Sequence, residues 1–275
     1  MNQNPRGGDD AVAAAARRLI VAAADLVPCS PVRDLIGSDD VKAAYAVQEL
    51  LTAHRLTTGA RVTGRKIGLT SPAVQAQLGV DQPDFGVLFD DMRVTDGGLV
   101  PTGRLLQPKV EAEIAFVLGA DLAEGPLDAE QVRGAVAYAL PALEIVDSRV
   151  AGWDITFGDT VADNGSSGLY VLGAATKTLA EFEPVSAVMT LARGGETVSR
   201  GDGAACLGDP LIALAWLART AREVGDPLRA GQVVLSGALG PMVVAGPGDV
   251  FAAEISGLGS VSVRFCASAD EGTSV

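Results

Sequence analysis

The 275-residue chain reads as an α+β protein, with a helical N-terminal segment over residues 1–60 and a β-rich domain over residues 61–275. Three observations carry that reading. Residues 11–27 (AVAAAARRLIVAAADLV) consist largely of strong helix formers. From ARVTGRKIG onward the texture changes to short apolar runs separated by Gly, Pro and Asp, the punctuation of strands and turns. One amphipathic stretch, residues 209–225, interrupts those runs with a helical period.

In chain order, the Ala-rich helix is followed by a second that begins after Ser38-Asp39-Asp40, whose side chains can accept from the free amides of its first turn. This helix carries the only histidine, His54, at helical spacing from Val47, Leu50 and Leu51, where a packing or surface role is expected. Strands are expected near 61–67, 110–118, 136–146, 168–173, 232–236, 250–256 and 260–265. In SVSVRF, Val261, Val263 and Phe265 share one face while Ser262 and Arg264 share the other, the alternation of a half-buried strand. GLGS at 257–260 reads as the hairpin before it. The one helix of the β region has Asp209 as N-cap, Pro210 in its first turn, Trp216 toward the core and Gly225 at its end.

Composition excludes several classes of function. With 48% hydrophobic and 20% charged residues the chain can bury a sizeable core, so disorder on that scale is excluded. A net charge of −13 and no cluster of Lys or Arg argue against nucleic acid as a partner. Cys29, Cys206 and Cys266 are odd in number and far apart, which fits reduced, packed thiols rather than a disulfide framework. MNQNPRGGDD lacks a basic start before an apolar core, and Arg17 and Arg18 interrupt the next apolar stretch, so a cytoplasmic protein without a membrane span is expected. A single imidazole removes most support for Ser-His-Asp hydrolysis and for His-rich metal sites. No glycine pattern after a strand cradles phosphate.

The carboxylates remain. In PKVEAEIAFVL, residues 108–118, Val110, Ala112, Ile114, Phe116 and Leu118 line one strand face; Glu111, Glu113, Ala115 and Val117 line the other. The two acids would stand roughly 6.5–7 Å apart at Cα, close enough to converge on one object. Glu144 is a third acid in an apolar run, PALEIVDSR. Without a cation, two carboxylates about 4 Å apart repel by about 4 kcal/mol at an effective dielectric near 20. A divalent ion removes that conflict, and an all-oxygen donor set with open octahedral positions suits Mg2+ or Mn2+ better than zinc. Lys66 sits between Ile67 and a Gly-bounded turn, where it is either a strand-end surface charge or, beside a metal-bound substrate, a proton relay or oxyanion partner. Asp84 is read in a Pro-Asp-Phe-Gly turn.

The stretch GRKIGLTSPAVQAQLGVDQPDFGVLFDDM, with VEAEIAFVL, PALEIVDSR, DTVADNGSSGLYVLG, GDPLIALAWLA and LSGALGPMVVAGPGDVF, closely resembles the 2-oxopent-4-enoate (2-hydroxypentadienoate) hydratases within the fumarylacetoacetate hydrolase superfamily. The resemblance runs from about residue 40 to 265. It implies a fumarylacetoacetate-hydrolase-type fold of mixed, rolled sheets over residues 61–275, with Glu111, Glu113 and Glu144 holding the metal and Lys66 and Asp84 in the active site. Gly165 in DNGSS departs from the Ala expected there. Ser166, Ser167 and the Ser236-Gly237 turn are candidates to contact substrate oxygens, with turn hydrogen bonding as the equal alternative.

The implied activity is divalent-metal-dependent hydration of 2-hydroxypenta-2,4-dienoate, or a short homologue, to 4-hydroxy-2-oxopentanoate in the meta-cleavage catabolism of aromatic compounds or steroids. The alternatives are a 4-oxalocrotonate-type decarboxylase, which would use the same chelate, and a non-catalytic assembly partner of such an enzyme. The resemblance further implies a homo-oligomer and leaves open association with a pathway decarboxylase or aldolase.

Overall fold

The computed structural model describes residues 5–71, 75–76, 80–101 and 103–267. The 64–92 motif therefore lies partly outside the described residues, at 72–74 and 77–79. Helix α1 (Pro5–Asp25), the short α2 (Arg33–Ile36) and α3 (Val41–Thr57) form the N-terminal segment. The Asp40 carboxylate accepts from the Ala43 amide to cap α3, which satisfies one of the free donors of its first turn. Then follow β1 (Val62–Gly68), β2 (Asp84–Phe89), β3 (Arg93–Val94), β4 (Leu99–Val100), β5 (Lys109–Leu118), α4 (Ala129–Ala135) and β6 (Val136–Val146). The remainder is α5 (Phe157–Ala162), β7 (Ser167–Leu172), β8 (Val188–Arg193), β9 (Glu196–Asp202), α6 (Pro210–Glu223), β10 (Val233–Ala238), β11 (Val243–Val244), β12 (Val250–Ile255) and β13 (Gly259–Phe265).

Two mixed sheets result. The larger runs β2-β1-β10-β5-β6-β7-β3, with β11 also paired to β5; its β1–β10 and β7–β3 pairs are parallel and the others antiparallel. The smaller runs β4-β13-β12-β8-β9, and its β12 and β13 pack against β6. Strand β5 alternates as its sequence dictates: Val110, Ala112, Ile114, Phe116 and Leu118 are buried in the core on one face. Helix α6 begins at Pro210, with the Asp209 carboxylate accepting from the Leu211 amide.

Four expectations are corrected. Asp84 opens strand β2 rather than sitting in a turn, because residues 84–89 are all buried and pair with β1. Ser236 and Gly237 lie inside β10, at a register shift between Leu235 and Ala238, so they form a bulge and not a turn. Helices α4 and α5 accompany α6 in the β region; each is only one or two turns long, too short for a periodic signal. The β8–β9 hairpin was also absent from the expected strands.

The N-terminal helices have their own core cluster, in which Ala15, Leu19, Val32, Ala44 and Val47 meet Phe157 and Val161 of α5. Buried Asp159 accepts from the amides of Val32 and Arg33, each at 2.9 Å, and pairs with Arg33 Nη1 at 2.8 Å. The Gln48 amide donates to the carbonyls of Phe85 and Val161. Helix α5 is thereby clamped from its outer side, which fixes the next residue, Thr160, against the interior. Among the described residues no helix is long and apolar enough to cross a membrane.

Candidate active site

The site is built on the central rungs of the larger sheet. Register pairs Glu111 on β5 with Glu144 on β6, and Glu113 with Ala142 and Ala238. Cross-strand partners stand about 4.5–5.5 Å apart, so this pairing adds Glu144 to the two acids that the strand period already put on one face. One oxygen from each of Glu111, Glu113 and Glu144 lies within 4.8 Å of the others. Glu113 is 0% and Glu144 1% exposed, while Glu111 keeps an opening toward solvent. The Gly237 amide donates to Glu113 Oε2 at 2.7 Å; the β10 bulge makes this contact by holding Gly237 at φ 109°, a conformation suited to glycine.

Among the described residues Glu113 Oε1 and Glu144 Oε2 have no hydrogen-bond donor, and Glu144 Oε1 has only its ion pair with Lys66 Nζ, at 3.2 Å. Buried carboxylate oxygens without donors are costly. The strain shows in proton affinity. Burial, and then the charge of Glu144, push Glu111 up to about 7. Burial with its two acidic neighbours pushes Glu113 well above the ordinary carboxylate range. Burial also raises Glu144, with Lys66 opposing it. Orphaned oxygens, an all-carboxylate donor set and like-charge crowding fit a hard divalent cation among these three residues.

Lys66 on β1 and Asp84 on β2 face the same space. Lys66 is 3% and Asp84 1% exposed, so neither is a surface charge. Burial alone would lower the lysine, but Glu144, Asp84, Glu111 and Glu113 outweigh it and hold the ammonium form. Burial pushes Asp84 up, with Lys66 pulling it back. Asp84 Oδ2 lies 3.5 Å from Thr160 Oγ1, which is 3.2 Å from Ser166 Oγ; Asp84 Oδ1 has no partner among the described residues. Gly68 is required beside it, since a Cβ there would overlap Asp84 Oδ1.

A cavity of about 280 Å³ opens over these groups; the buried Lys66, Asp84, Thr160, Gly165 and Ser166 and the partly exposed Glu111 line it within, and the half-buried Leu69, Lys109, Trp153 and Ile155 with the exposed Met242 line its mouth. The four expected substrate-contact residues separate. Ser166 lines the cavity. Ser167 donates to the Asn164 carbonyl at 2.8 Å and borders a neighbouring cavity of about 510 Å³. Ser236 is fully buried, its hydroxyl without a partner among the described residues, and the Gly237 amide is taken by Glu113. Asn164, Gly165 and Ser166 are consecutive left-handed residues. A Cβ on Gly165 would sit 2.8 Å from Lys66 Cε, so glycine there gives the lysine its room. Exposed His54 borders the 510 Å³ cavity, away from these groups.

Sequence reasoning missed Thr160 and the Arg149–Asp163 pair behind Ser166. Asp163 is fully buried and accepts from the Arg149 side chain and amide, while Arg149 donates on to the Ser167 carbonyl. A charged residue two places after Asp147, with an acid in DTVADN, was the available signal.

The sequence profile of the fumarylacetoacetate (FAA) hydrolase C-terminal family matches residues 69–266. The chain is 55% identical over 255 residues to the "TodF product hydratase" of Pseudomonas putida, covering 93% of this chain and 95% of that protein. It is 54% identical over 252 residues to "2-keto-4-pentenoate hydratase 2" of Dechloromonas aromatica, covering 92% and 96%. Among solved structures it is similar to 4-oxalocrotonate decarboxylase from Pseudomonas putida G7, complexed with magnesium and adipate, with a TM-score of 0.90 at 34% identity over 94% of this chain and 98% of that one. The chain belongs to the fumarylacetoacetate hydrolase family, in the branch that contains the 2-keto-4-pentenoate hydratases.

Proposed function

We propose that this protein hydrates 2-hydroxypenta-2,4-dienoate (2-keto-4-pentenoate), or a short homologue, to 4-hydroxy-2-oxopentanoate in the meta-cleavage catabolism of aromatic compounds, with Mg2+ or Mn2+ held by Glu111, Glu113 and Glu144. The observation that carries this reading is the convergence of those three carboxylates within 4.8 Å beneath a cavity that also presents Lys66 and Asp84. The bound ion supplies Lewis-acid polarisation of the substrate's 2-oxo group and offsets the repulsion among the acids.

Lys66, kept as an ammonium by its carboxylate neighbours, donates to the substrate's 2-oxygen and stabilises the negative charge that develops there. Asp84 holds water through its unpartnered Oδ1 and accepts a proton from it; burial makes this carboxylate a stronger base than a free aspartate. Thr160 and Ser166 keep Asp84 oriented. Protonation of the dienol at carbon 5 gives the 2-oxo-3-enoate, and water then adds its hydroxyl to carbon 4 and a proton to carbon 3. Gly237 and Ser236 act behind Glu113 rather than on substrate.

The similarity to 4-oxalocrotonate decarboxylase supports a second reading, loss of carbon dioxide from 4-oxalocrotonate at the same cluster. The higher identity to hydratases favours water addition, and the intact acids with Lys66 weigh against a non-catalytic assembly partner. Incubating metal-stripped and Mg2+-reconstituted protein with each substrate, while following water addition and carbon dioxide release, tests all three. Metal-dependent hydration is expected; carbon dioxide release alone would transfer the assignment to the decarboxylase, and full turnover without metal would remove the proposed mechanism. The same reading includes a homo-oligomer. The exposed Val21, Val27 and Leu56 of the helical segment support it, and light scattering in solution tests it.

A further inference from the structure

The mouth of the cavity differs from its floor. Lys109 precedes Glu111 by two residues on the same face of β5, and its cross-strand partner is Val146, as Glu144 is that of Glu111. One step of about 6.5–7 Å along the strand therefore leads from the carboxylates to this pair. A 2-oxo acid whose oxygens reach the carboxylate cluster must direct its other end toward the mouth, where the half-buried Leu69, Trp153, Ile155 and Lys109 and the exposed Met242 line the opening. Among the described residues the cations of the cavity lining are Lys66, paired with Glu144, and Lys109.

Lys109 does not stand free in that opening. Its Nζ lies 4.0 Å from the centroid of the Trp153 ring, a cation–π contact. Trp153 is held there deliberately: Gly152 and Trp153 are both left-handed, at φ 64° and 57°, a conformation that bulky residues rarely adopt without external support. Gln107 supplies the support. Its carbonyl accepts from Trp153 Nε1 at 3.1 Å and its side-chain oxygen from the Gly152 amide at 2.7 Å, while its side-chain nitrogen donates to the Ser148 and Val150 carbonyls. One of these bonds fixes the indole itself and the other three fix the 148–152 loop that carries it, at a cavity mouth and at a left-handed residue.

We propose that Trp153 sets the tail specificity of the cavity by holding the Lys109 ammonium against its ring, so that the mouth offers an apolar sleeve to the distal end of the substrate and withholds a cation from any terminal carboxylate. This deepens the proposed hydratase reading and rests on it. The class of substrate admitted is the 2-hydroxy-2,4-dienoate with an uncharged tail of hydrogen or short alkyl; the class rejected is the α,ω-dicarboxylate.

The test compares two tails on carbon 5: propyl, in 2-hydroxyocta-2,4-dienoate, and carboxymethyl, in 2-hydroxyhepta-2,4-diene-1,7-dioate. Hydration kinetics are measured on the Mg2+-loaded protein with 2-hydroxypenta-2,4-dienoate as reference. Trp153→Leu should raise kcat/KM for the dicarboxylate relative to the propyl substrate by about threefold to fivefold, the size of one partly exposed charge pair. Trp153→Leu combined with Lys109→Met should lose that gain, which mere enlargement of the mouth would not do. Trp153→Phe keeps a ring over the ammonium and should keep the parent's preference. If Trp153→Leu does not fold, Lys109→Met alone decides: the preference between the tails should stay within about twofold of the parent's. A selective loss of dicarboxylate turnover in Lys109→Met would show that the ammonium already reaches the tail, and would overturn the proposal, as would an unchanged preference in Trp153→Leu. Failure of the parent to hydrate 2-hydroxypenta-2,4-dienoate would overturn the hydratase reading itself, and this inference with it.

Discussion

The floor of the cavity and its mouth are made in different ways. The floor is strand-borne: Glu111, Glu113, Glu144, Lys66 and Asp84 sit on four strands of one sheet, their spacing fixed by backbone ladders. Apart from Lys109 on β5, the mouth and inner flank are largely loop-borne: Leu69, Trp153, Gly165 and Ser166 all have positive φ, and hydrogen bonds with Gln107 and Arg149 keep Trp153 and the 163–167 segment in place. The difference teaches that the groups proposed to hold charge are set where the fold is least deformable, while the groups that shape access are set where single side chains can re-aim the backbone. Substitutions in the floor should therefore abolish chemistry, and substitutions in the loops should redirect or slow it.

The largest effect is expected at the carboxylates. Glu113→Gln or Glu144→Gln should lower both Mg2+ affinity and turnover by more than about 100-fold, the upper range for changes behind a metal ligand, with the protein still folded by circular dichroism. Parent-like metal titration in Glu144→Gln would break the contrast at its centre. Next comes Lys66→Met, expected to lower kcat by about 10²–10³-fold, the range of a lost donor to a developing oxyanion, while isothermal titration with Mg2+ stays near the parent curve.

The third prediction concerns pH. In the metal-free protein Glu111, Glu113 and Glu144 all have proton affinities raised above the free carboxylate. The folded state then binds more protons than the unfolded state, so stability falls as pH rises from about 5 through about 7. Melting curves of metal-free protein should move to lower temperature across that window. Saturating Mg2+ should flatten the dependence, because it replaces the protons, and apparent Mg2+ affinity should rise over the same interval. A flat profile for the metal-free protein would show that the three acids do not crowd one another.

Smaller effects are expected in the loops. Gly165→Ala places a Cβ 2.8 Å from Lys66 Cε at a φ of 60°, so a loss of about 1–2 kcal/mol in stability and a fall in kcat, with metal affinity retained, is predicted from melts and kinetics. Ser167→Ala removes one hydrogen bond to the Asn164 carbonyl and should cost about 1 kcal/mol or less, with turnover changed by under about threefold. A severe loss in Ser167→Ala would return that hydroxyl to the substrate's surroundings.

The same division governs what could be read from the chain. The period of two in VEAEIAFVL was sufficient to put Glu111 and Glu113 on one face, because strand alternation is a local rule. Glu144 stood out as an acid in an apolar run, but its register against Glu111 depends on pairing with a strand 26 or more residues away and no local pattern records it. Asp84 was misread as a turn residue because Pro and Gly flank it; burial against β1 overrides those signals. The β8–β9 hairpin had a legible cue in Gly194-Gly195, both at positive φ. Asn164-Gly165 is likewise a turn dipeptide, whereas Trp153 and Ser166 had no cue, since left-handed backbone at such residues is imposed by tertiary hydrogen bonds.

The most direct test of the three-carboxylate centre is a Mn2+ titration followed by the electron paramagnetic resonance of the free ion, on the metal-stripped parent and on Glu111→Gln, Glu113→Gln and Glu144→Gln, with hydration of 2-hydroxypenta-2,4-dienoate assayed at each point. One ion per chain, activity rising in step with its binding, and loss of both in each of the three variants is the predicted result. Full hydration by parent protein that retains no divalent ion, or binding and turnover unchanged in any one of the three variants, would contradict it.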